Sequence, residues 1–425
     1  MTRRRRSIEY RRPVYDELLG RAHEPRRFIQ VLVGPRQVGK TTLARQVMDT
    51  VGVPAHAASA DDPALRDRAW LESQWQIGRQ QARNGGRAGG LLVIDEIQKV
   101  VGWSEVVKRL WDEDTAAELP LRVMLLGSAP LLIERGLTES LAGRFELVRI
   151  GHWSFVEMRD AFGFDLDRYL LFGGYPGAAS LVADPERWSA YIRDSLVETS
   201  LARDVLLLTR VDKPMLLRQL FRLACERSGD VLAYTRMLGR LEGAGNTTTL
   251  AGYLELLAAA GLVAGLEKHD ADGTPRQRGS SPKLLALNTA LVTAVSGLAP
   301  AAVADARDRG RLVETAVGAH LVNSVSPLDV RYWRAGDREV DYVFGRSPAR
   351  SGGQAPVVAL RVESGRQRET RSGLDAFVAR MPGARPLLVG GDGIALDTFL
   401  TREPTSWLDE GAAVAVQGTG SARGQ

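Results

Sequence analysis

The run Phe28-Ile29-Gln30-Val31-Leu32-Val33 is apolar on both faces and predicts a buried strand. A glycine-bounded loop follows, and Thr41 to Met48 carries a helical pattern. Val53 to Ala58 is a weaker strand pattern ending in the turn-forming Asp61-Asp62-Pro63. The loop Asn84-Gly85-Gly86-Arg87-Ala88-Gly89-Gly90 leads into a second clear strand, Leu91-Leu92-Val93-Ile94. A helical stretch from about Trp103 to Asp112 precedes a third, Val123-Met124-Leu125-Leu126. Strands that are apolar on both faces and alternate with helices predict a parallel sheet covered by helices.

Beyond about residue 155 the pattern becomes mainly helical. Within it, Tyr234 to Leu266 forms a compact unit. A helix is expected over Thr235–Leu241, then a turn at Gly243–Asn246, then a second helix capped by Thr247 and ending at Ala260–Val263. With Leu262–Leu266 as the start of a wing, the unit resembles a winged helix-turn-helix. Residues 270–282 are polar and loop-like, a last α/β pattern runs from about Arg311 to Leu400, and Gly411–Gln425 lacks a packing pattern.

The 425 residues allow two or three domains. At 44% hydrophobic and 25% charged the balance is that of a globular chain. No run approaches the ~18 apolar residues of a membrane span, and the arginines near the start lack the apolar region of a secretory or twin-arginine signal. The expectation is a cytoplasmic protein with no membrane partner. A single cysteine, Cys225, excludes an internal disulfide and a cysteine zinc cluster.

Charge adds one feature. Residues 1–27 hold nine arginines against four carboxylates, which accounts for the whole net charge of +5. That segment reads as an N-terminal extension, with DNA binding through the arginine arm as the alternative. Over Ser228–Lys268 the net charge is −1, so the helical unit lacks the basic footprint of a lone DNA reader.

The clearest chemistry lies at Gly34-Pro35-Arg36-Gln37-Val38-Gly39-Lys40-Thr41-Thr42, which fits G-x-x-x-x-G-K-[ST] between a strand and a helix. The glycines let backbone N–H groups face phosphate oxygens, Lys40 brings a charge to the β- and γ-phosphates, and Thr41 offers a hydroxyl to Mg²⁺. Asp95-Glu96 close the strand Leu91–Ile94. Asp95 there is suited to hold Mg²⁺ and Glu96 to polarise the attacking water. Ser128, ending the next strand, is a candidate for sensing the γ-phosphate or placing water, with a plain turn residue as the alternative. Arg144 is the candidate for stabilising charge in the transition state, acting in cis or in trans, with Arg135 as an alternative and a structural ion pair as the other reading of either.

These motifs occur in one order with Ile97-Gln98-Lys99, Gly102-Trp103, Leu141–Arg144, Ser154-Phe155-x-Glu157 and Gly173-Gly174-Tyr175-Pro176. The chain thereby resembles a prokaryotic family of AAA-type P-loop ATPases with a winged-helix segment and a C-terminal domain of unassigned function, itself similar to restriction-endonuclease-like folds. The resemblance implies ATP and Mg²⁺ as cofactors. His152-Trp153 departs from the family's usual Leu-Pro.

The family's C-terminal domain has Glu-x-Asp on one strand and Glu-x-Lys on the next. Here Glu339-Val340-Asp341 fits the first, with Glu314 as an upstream acid. Arg361 and Glu363 stand where the second needs a glutamate and a lysine. A permanent cation in a ligand position predicts a structural or binding remnant, not a nuclease. A swapped metal site through Asp341 and Glu363 is the alternative.

The expected fold class is α/β: a P-loop NTPase parallel sheet, a helical winged-helix segment and a C-terminal restriction-endonuclease-like α/β domain. The expected boundaries are 1–27 (basic arm), 28–155 (ATPase domain), 156–268 (helical region with winged helix), 269–310 (linker and connecting helices), 311–400 (degenerate nuclease-like domain) and 401–425 (tail). The expected function is Mg-ATP hydrolysis driving domain rearrangement or interaction with an unidentified protein partner or a second copy. The alternatives are a nucleotide-dependent switch and a DNA-associated regulator.

Overall fold

The computed structural model describes residues 10–61, 67–128, 133, 136–137, 139–206, 211–243, 245–269, 281–346, 356–363 and 371–409. Arg135, Arg3–Arg6, most of the 270–282 loop and residues 410–425 lie outside them.

Helix α1 (Val14–His23) leads into β1 (Ile29–Val33), and α2 (Lys40–Thr50) follows the glycine loop. Strands β2 (Ala55–Ser59), β3 (Gly90–Asp95), β4 (Leu121–Gly127) and β5 (Phe145–Arg149) complete a five-stranded sheet in the order β2-β3-β4-β1-β5. Every pairing in it is parallel. Helices α3 (Arg68–Asn84) and α4 (Trp103–Ala116) complete the unit. Two apolar layers enclose the sheet, one built on Trp75, Trp103 and Leu110, the other on Leu18, Leu43 and Val47. This is a P-loop NTPase architecture, with the parallel sheet that the apolar runs predict. Strand β5 was not expected; its Phe145-Glu146-Leu147 is only half-buried and gives no continuous apolar run.

Residues 10–27 are not an arm. Helix α1 buries Val14, Tyr15, Leu18 and Ala22 against α2, and each large apolar side chain so covered contributes about 1.5–3 kcal/mol. The arginines of this stretch are drawn inward as well. Arg26 donates to the carbonyls of Leu121 and Trp111 while lying over the Trp111 ring, and Arg21 bridges Glu17 and Gln30.

Most of the chain beyond β5 shares a core that runs from Trp153 to Leu408, and a smaller one is built on Trp333, Val343 and Phe377. Helices Pro214–Glu226, Tyr234–Leu238 and Thr247–Ala259 precede an antiparallel pair, β6 (Val263–Leu266) and β7 (Lys283–Ala286). The middle helix is shorter than expected, and Asn246 rather than Thr247 caps the third. The Asn246 carboxamide oxygen accepts from Thr249 N at 2.8 Å. Within 269–310, where a linker and connecting helices were expected, β7 is a strand buried throughout and helix Thr289–Ser296 sits in the core. A second sheet, in the order β11-β10-β9-β8, comprises β8 (Leu328–Ala335), β9 (Arg338–Arg346), β10 (Val357–Glu363) and β11 (Arg385–Gly390). Among the described residues no helix is long and apolar enough to cross a membrane.

Candidate functional site

The glycine loop leaves β1 at the carboxyl edge of the sheet, where open parallel sheets bind ligands. Gly34 is required there because a Cβ would stand 2.0 Å from the carbonyl oxygen of Ile150. Gly39 caps α2 with a φ of +93°, a conformation costly for a residue with a side chain. In this state Lys40 closes the loop on itself: its Nζ donates to the carbonyls of Gly34 at 2.8 Å and Pro35 at 2.7 Å. Thr41 and Thr42 are exposed on the first turn of α2, and Val38 is buried beneath it.

Thr41 Oγ1 donates to Asp95 Oδ2 at 2.6 Å, so the hydroxyl and the carboxylate come together across the β1/β3 edge. Burial pushes the Asp95 carboxyl up, opposed by the Thr41 hydrogen bond. Two hard oxygens beside a phosphate loop are the donor set that suits Mg²⁺, which takes one or two protein oxygens and the rest from phosphate and water.

Glu96 has a left-handed backbone (φ +54°) that turns the chain into the single helical turn Ile97–Lys99. Its Oε2 accepts from Gln98 Nε2 at 2.7 Å and from Ser128 Oγ at 3.0 Å, with Lys99 Nζ at 3.7 Å. Lys99 also pairs with Asp61. Lys40, Thr41, Asp95, Glu96 and Ser128 therefore form one site, and Ser128 is a member of it by contact with Glu96.

Arg144 does not reach this site. Its carbonyl accepts from Ile29 N at the amino end of β1, roughly 15 Å of strand from the loop. Its guanidinium forms a fork on Asp112, at 2.8 and 3.1 Å. Of the readings open for Arg144, the ion pair is the one seen here, because the parallel register places the start of β5 at the edge opposite the glycine loop.

Several contacts behind the loop were not anticipated. Arg12 Nη1 and Trp153 Nε1 both donate to the Val38 carbonyl, at 3.0 and 2.9 Å, and Arg12 forks onto Glu157 at 2.6 and 3.1 Å. The signal for Glu157 was present, since Ser154-x-x-Glu157 is a capping box and is observed as one. Nothing local marks Arg12 as its partner, 145 residues away. Tyr191 donates its hydroxyl to Gln37 Oε1 at 2.8 Å.

His152, one of the departures from the family pattern, is fully enclosed. Its Nε2 donates to the Gly261 carbonyl at 2.7 Å, and its Nδ1 accepts from Asn288 Nδ2 at 3.2 Å, which fixes the Nε2–H tautomer. Burial, helped by the charges of Arg12 and Lys40, pushes the imidazole down to about 4.

In the C-terminal unit the structure gathers Glu314, Glu339 and Asp341, but around an ammonium group. Lys283 of β7, fully buried, lies 2.7 Å from Glu314, 3.4 Å from Asp341 and 3.5 Å from Glu339. Arg361 Nη1 adds a bond to Asp341 at 2.9 Å. Glu363 instead packs against Gly391. Among the described residues no group of three or more His, Cys, Asp or Glu is arranged to hold a metal ion.

Residues 26–159 match the family model described as an AAA domain, and residues 163–302 match a domain of unknown function, DUF8612. Uncharacterized proteins of Mycobacterium tuberculosis and Mycobacterium bovis are each 30% identical over 315 residues, 74% of this chain. The match spans 66% of the length of those relatives. Among solved structures, a Walker-type ATPase of Pyrococcus abyssi is 15% identical at a TM-score of 0.45, covering 69% of this chain and 97% of its own. AMPPCP-bound DnaA from Aquifex aeolicus is 17% identical at 0.31, covering 57% and 86%. The Aeropyrum pernix ORC1 protein in complex with DNA is 15% identical at 0.28, covering 67% and 91%. With the family match and the parallel sheet on one segment, residues 26–159 form an AAA-type P-loop ATPase domain.

Proposed function

We propose that the chain binds Mg²⁺-ATP on Gly34–Thr42 and hydrolyses it, and that the helical segment follows the state of the loop. The observation that carries this reading is the 2.6 Å bond between Thr41 and Asp95, with Glu96 next in the chain. Lys40 exchanges the Gly34 and Pro35 carbonyls for the β- and γ-phosphates, and the loop N–H groups take the phosphate oxygens. Thr41 and Asp95 hold Mg²⁺, which offsets charge on the phosphates when bound. Glu96 orients a water and accepts its proton as the new P–O bond forms and the β–γ bridging oxygen departs with ADP. A role for Arg144 in this chemistry requires a second copy of the chain.

Turnover by the full chain, with and without DNA, tests the proposal. Lys40→Ala should abolish nucleotide binding, and Glu96→Gln should bind ATP but slow hydrolysis. Equal turnover in Glu96→Gln and wild type refutes the role of Glu96.

A second reading, a nucleotide-dependent switch with slow hydrolysis, is favoured by the contacts of Pro35, Gln37 and Val38 with the helical segment. Background turnover together with ATP-dependent protease protection would select it. On either reading we take helices Pro214–Glu226 to Thr247–Ala259 and the β6–β7 ribbon as a winged helix used as a clamp. Its net charge of −1 over residues 228–268 argues against DNA reading. DNA binding by the arginine arm now rests mainly on Arg3–Arg6, because Arg12, Arg21 and Arg26 are engaged within the protein.

A further inference from the structure

We propose that Gln98 is a positioning residue for hydrolysis, holding the Glu96 carboxylate in one orientation toward the attacking water. This rests on the reading of Glu96 as the group that polarises that water. The left-handed turn at Glu96 and the closed turn behind it, with Lys99 N donating to the Glu96 carbonyl at 3.0 Å, fold Gln98 back over its neighbour. Ile97, fully buried, anchors that turn beneath the sheet edge.

Gln98 is nine-tenths buried, and a carboxylate only accepts, so the amide must present its NH₂ to Glu96. Nε2 donates to Glu96 Oε2 at 2.7 Å and to Ser128 Oγ at 3.4 Å, and Ser128 donates to the same Oε2. These bonds tie down one oxygen of Glu96 and leave its Oε1 without a hydrogen bond among the described residues. The other end of the amide, Oε1 of Gln98, is buried without a partner. It lies where a Cβ on Gly127 would stand 2.6 Å away, so the glycine of Gly127-Ser128 makes room for this side chain. An unsatisfied buried carbonyl is costly, and it is tolerated because the donor end is required at Glu96. Partners of this kind, which fix the orientation of a reacting group without touching substrate, commonly change rates by about 10- to 100-fold.

The test compares wild type, Gln98→Met, Gln98→Glu and Glu96→Gln in the full chain, measuring kcat and KM for ATP, nucleotide Kd and thermal melting. Gln98→Met keeps the shape and removes the donor; kcat should fall about tenfold or more while KM and Kd stay within twofold. Gln98→Glu exchanges the donor for a second acceptor against Glu96 Oε2, so kcat should fall at least as far as in Gln98→Met. A role in folding alone would lower the melting temperature and move KM and Kd together with kcat, and would not give this split. Turnover in Gln98→Met that falls by less than about tenfold, or a loss of kcat matched by the same loss in KM and Kd, overturns the proposal. A Glu96→Gln chain as fast as wild type overturns it together with the reading beneath it, whereas a slow Glu96→Gln beside a fast Gln98→Met refutes Gln98 alone.

Discussion

Gly261 closes directly on Pro35 of the phosphate loop: a Cβ at Gly261 would stand 2.2 Å from Pro35 Cγ. Gly261 also has a φ of +72°, so a side chain there is strained by its own backbone as well as by the contact. The end of helix Thr247–Ala259 is thus seated against the glycine loop. Gly261→Ala should destabilise the fold by about 1–3 kcal/mol and push the two segments apart. Thermal melting with and without a non-hydrolysable ATP analogue checks this. A lowered melting temperature together with a smaller nucleotide-induced rise is expected, and an unchanged rise would show that the contact does not couple to the loop.

The imidazole of His152 sits behind the same joint, pushed down to about 4 by burial. Unfolding returns it to about 6.5, so between these values the unfolded chain binds more protons. The stability this group contributes is full above pH 6.5 and is lost as pH falls toward 4, by up to about 3 kcal/mol. Other groups titrate in the same window, Glu314 among them, so the measurement is a difference. The stability gap between wild type and His152→Asn should shrink as pH is lowered from 7 to 4.5. A gap that stays constant contradicts a buried neutral His152.

The phosphate loop, Asp95-Glu96 and the parallel sheet were legible because each is a local pattern: a short motif, or an apolar run ended by turn chemistry. What escaped were pairings between distant residues. Arg12 in a run of arginines is indistinguishable from Arg11, yet it alone finds Glu157 and the Val38 carbonyl. Lys283 follows a polar loop and carries no local signal, although tertiary contacts bury it completely. The place of Arg144 stayed open for another reason. Its motif was recognised, but only the register of β5 against β1 shows which edge of the sheet it occupies.

That register gives a prediction for Arg144. Its fork on Asp112 is partly exposed, which limits its worth to about 1 kcal/mol or less. Arg144→Ala should therefore leave the affinity for nucleotide within twofold of wild type at low protein concentration and lower the melting temperature only slightly. Titration with a fluorescent ATP analogue reads this. A large loss of affinity in dilute solution would mean that the guanidinium reaches the site of its own chain.

Lys283 offers the sharpest test of the C-terminal unit. One enclosed ammonium faces three carboxylates, with Arg361 as the second cation. Burial, reinforced by the nearby Asp341 and Glu339, pushes Glu314 up to about 7 against the pull of Lys283. Replacing Lys283 with Met leaves those acids clustered without their cation, a change that commonly costs about 3–5 kcal/mol. Without the lysine the Glu314 carboxyl rises further above its unfolded value, so above about pH 7 the folded variant holds a proton that the folded wild type gives up. The penalty should then hold steady from about pH 5 to about 7, where Glu314 is protonated in both folded chains, and grow as pH rises above about 7. Urea melts of Lys283→Met across that range measure it. A pH-independent penalty would show that the lysine acts by packing alone, and Mg²⁺- or Mn²⁺-dependent cleavage of plasmid DNA by wild type, lost in Asp341→Ala, would show that the cluster has kept its chemistry despite the cation at its centre.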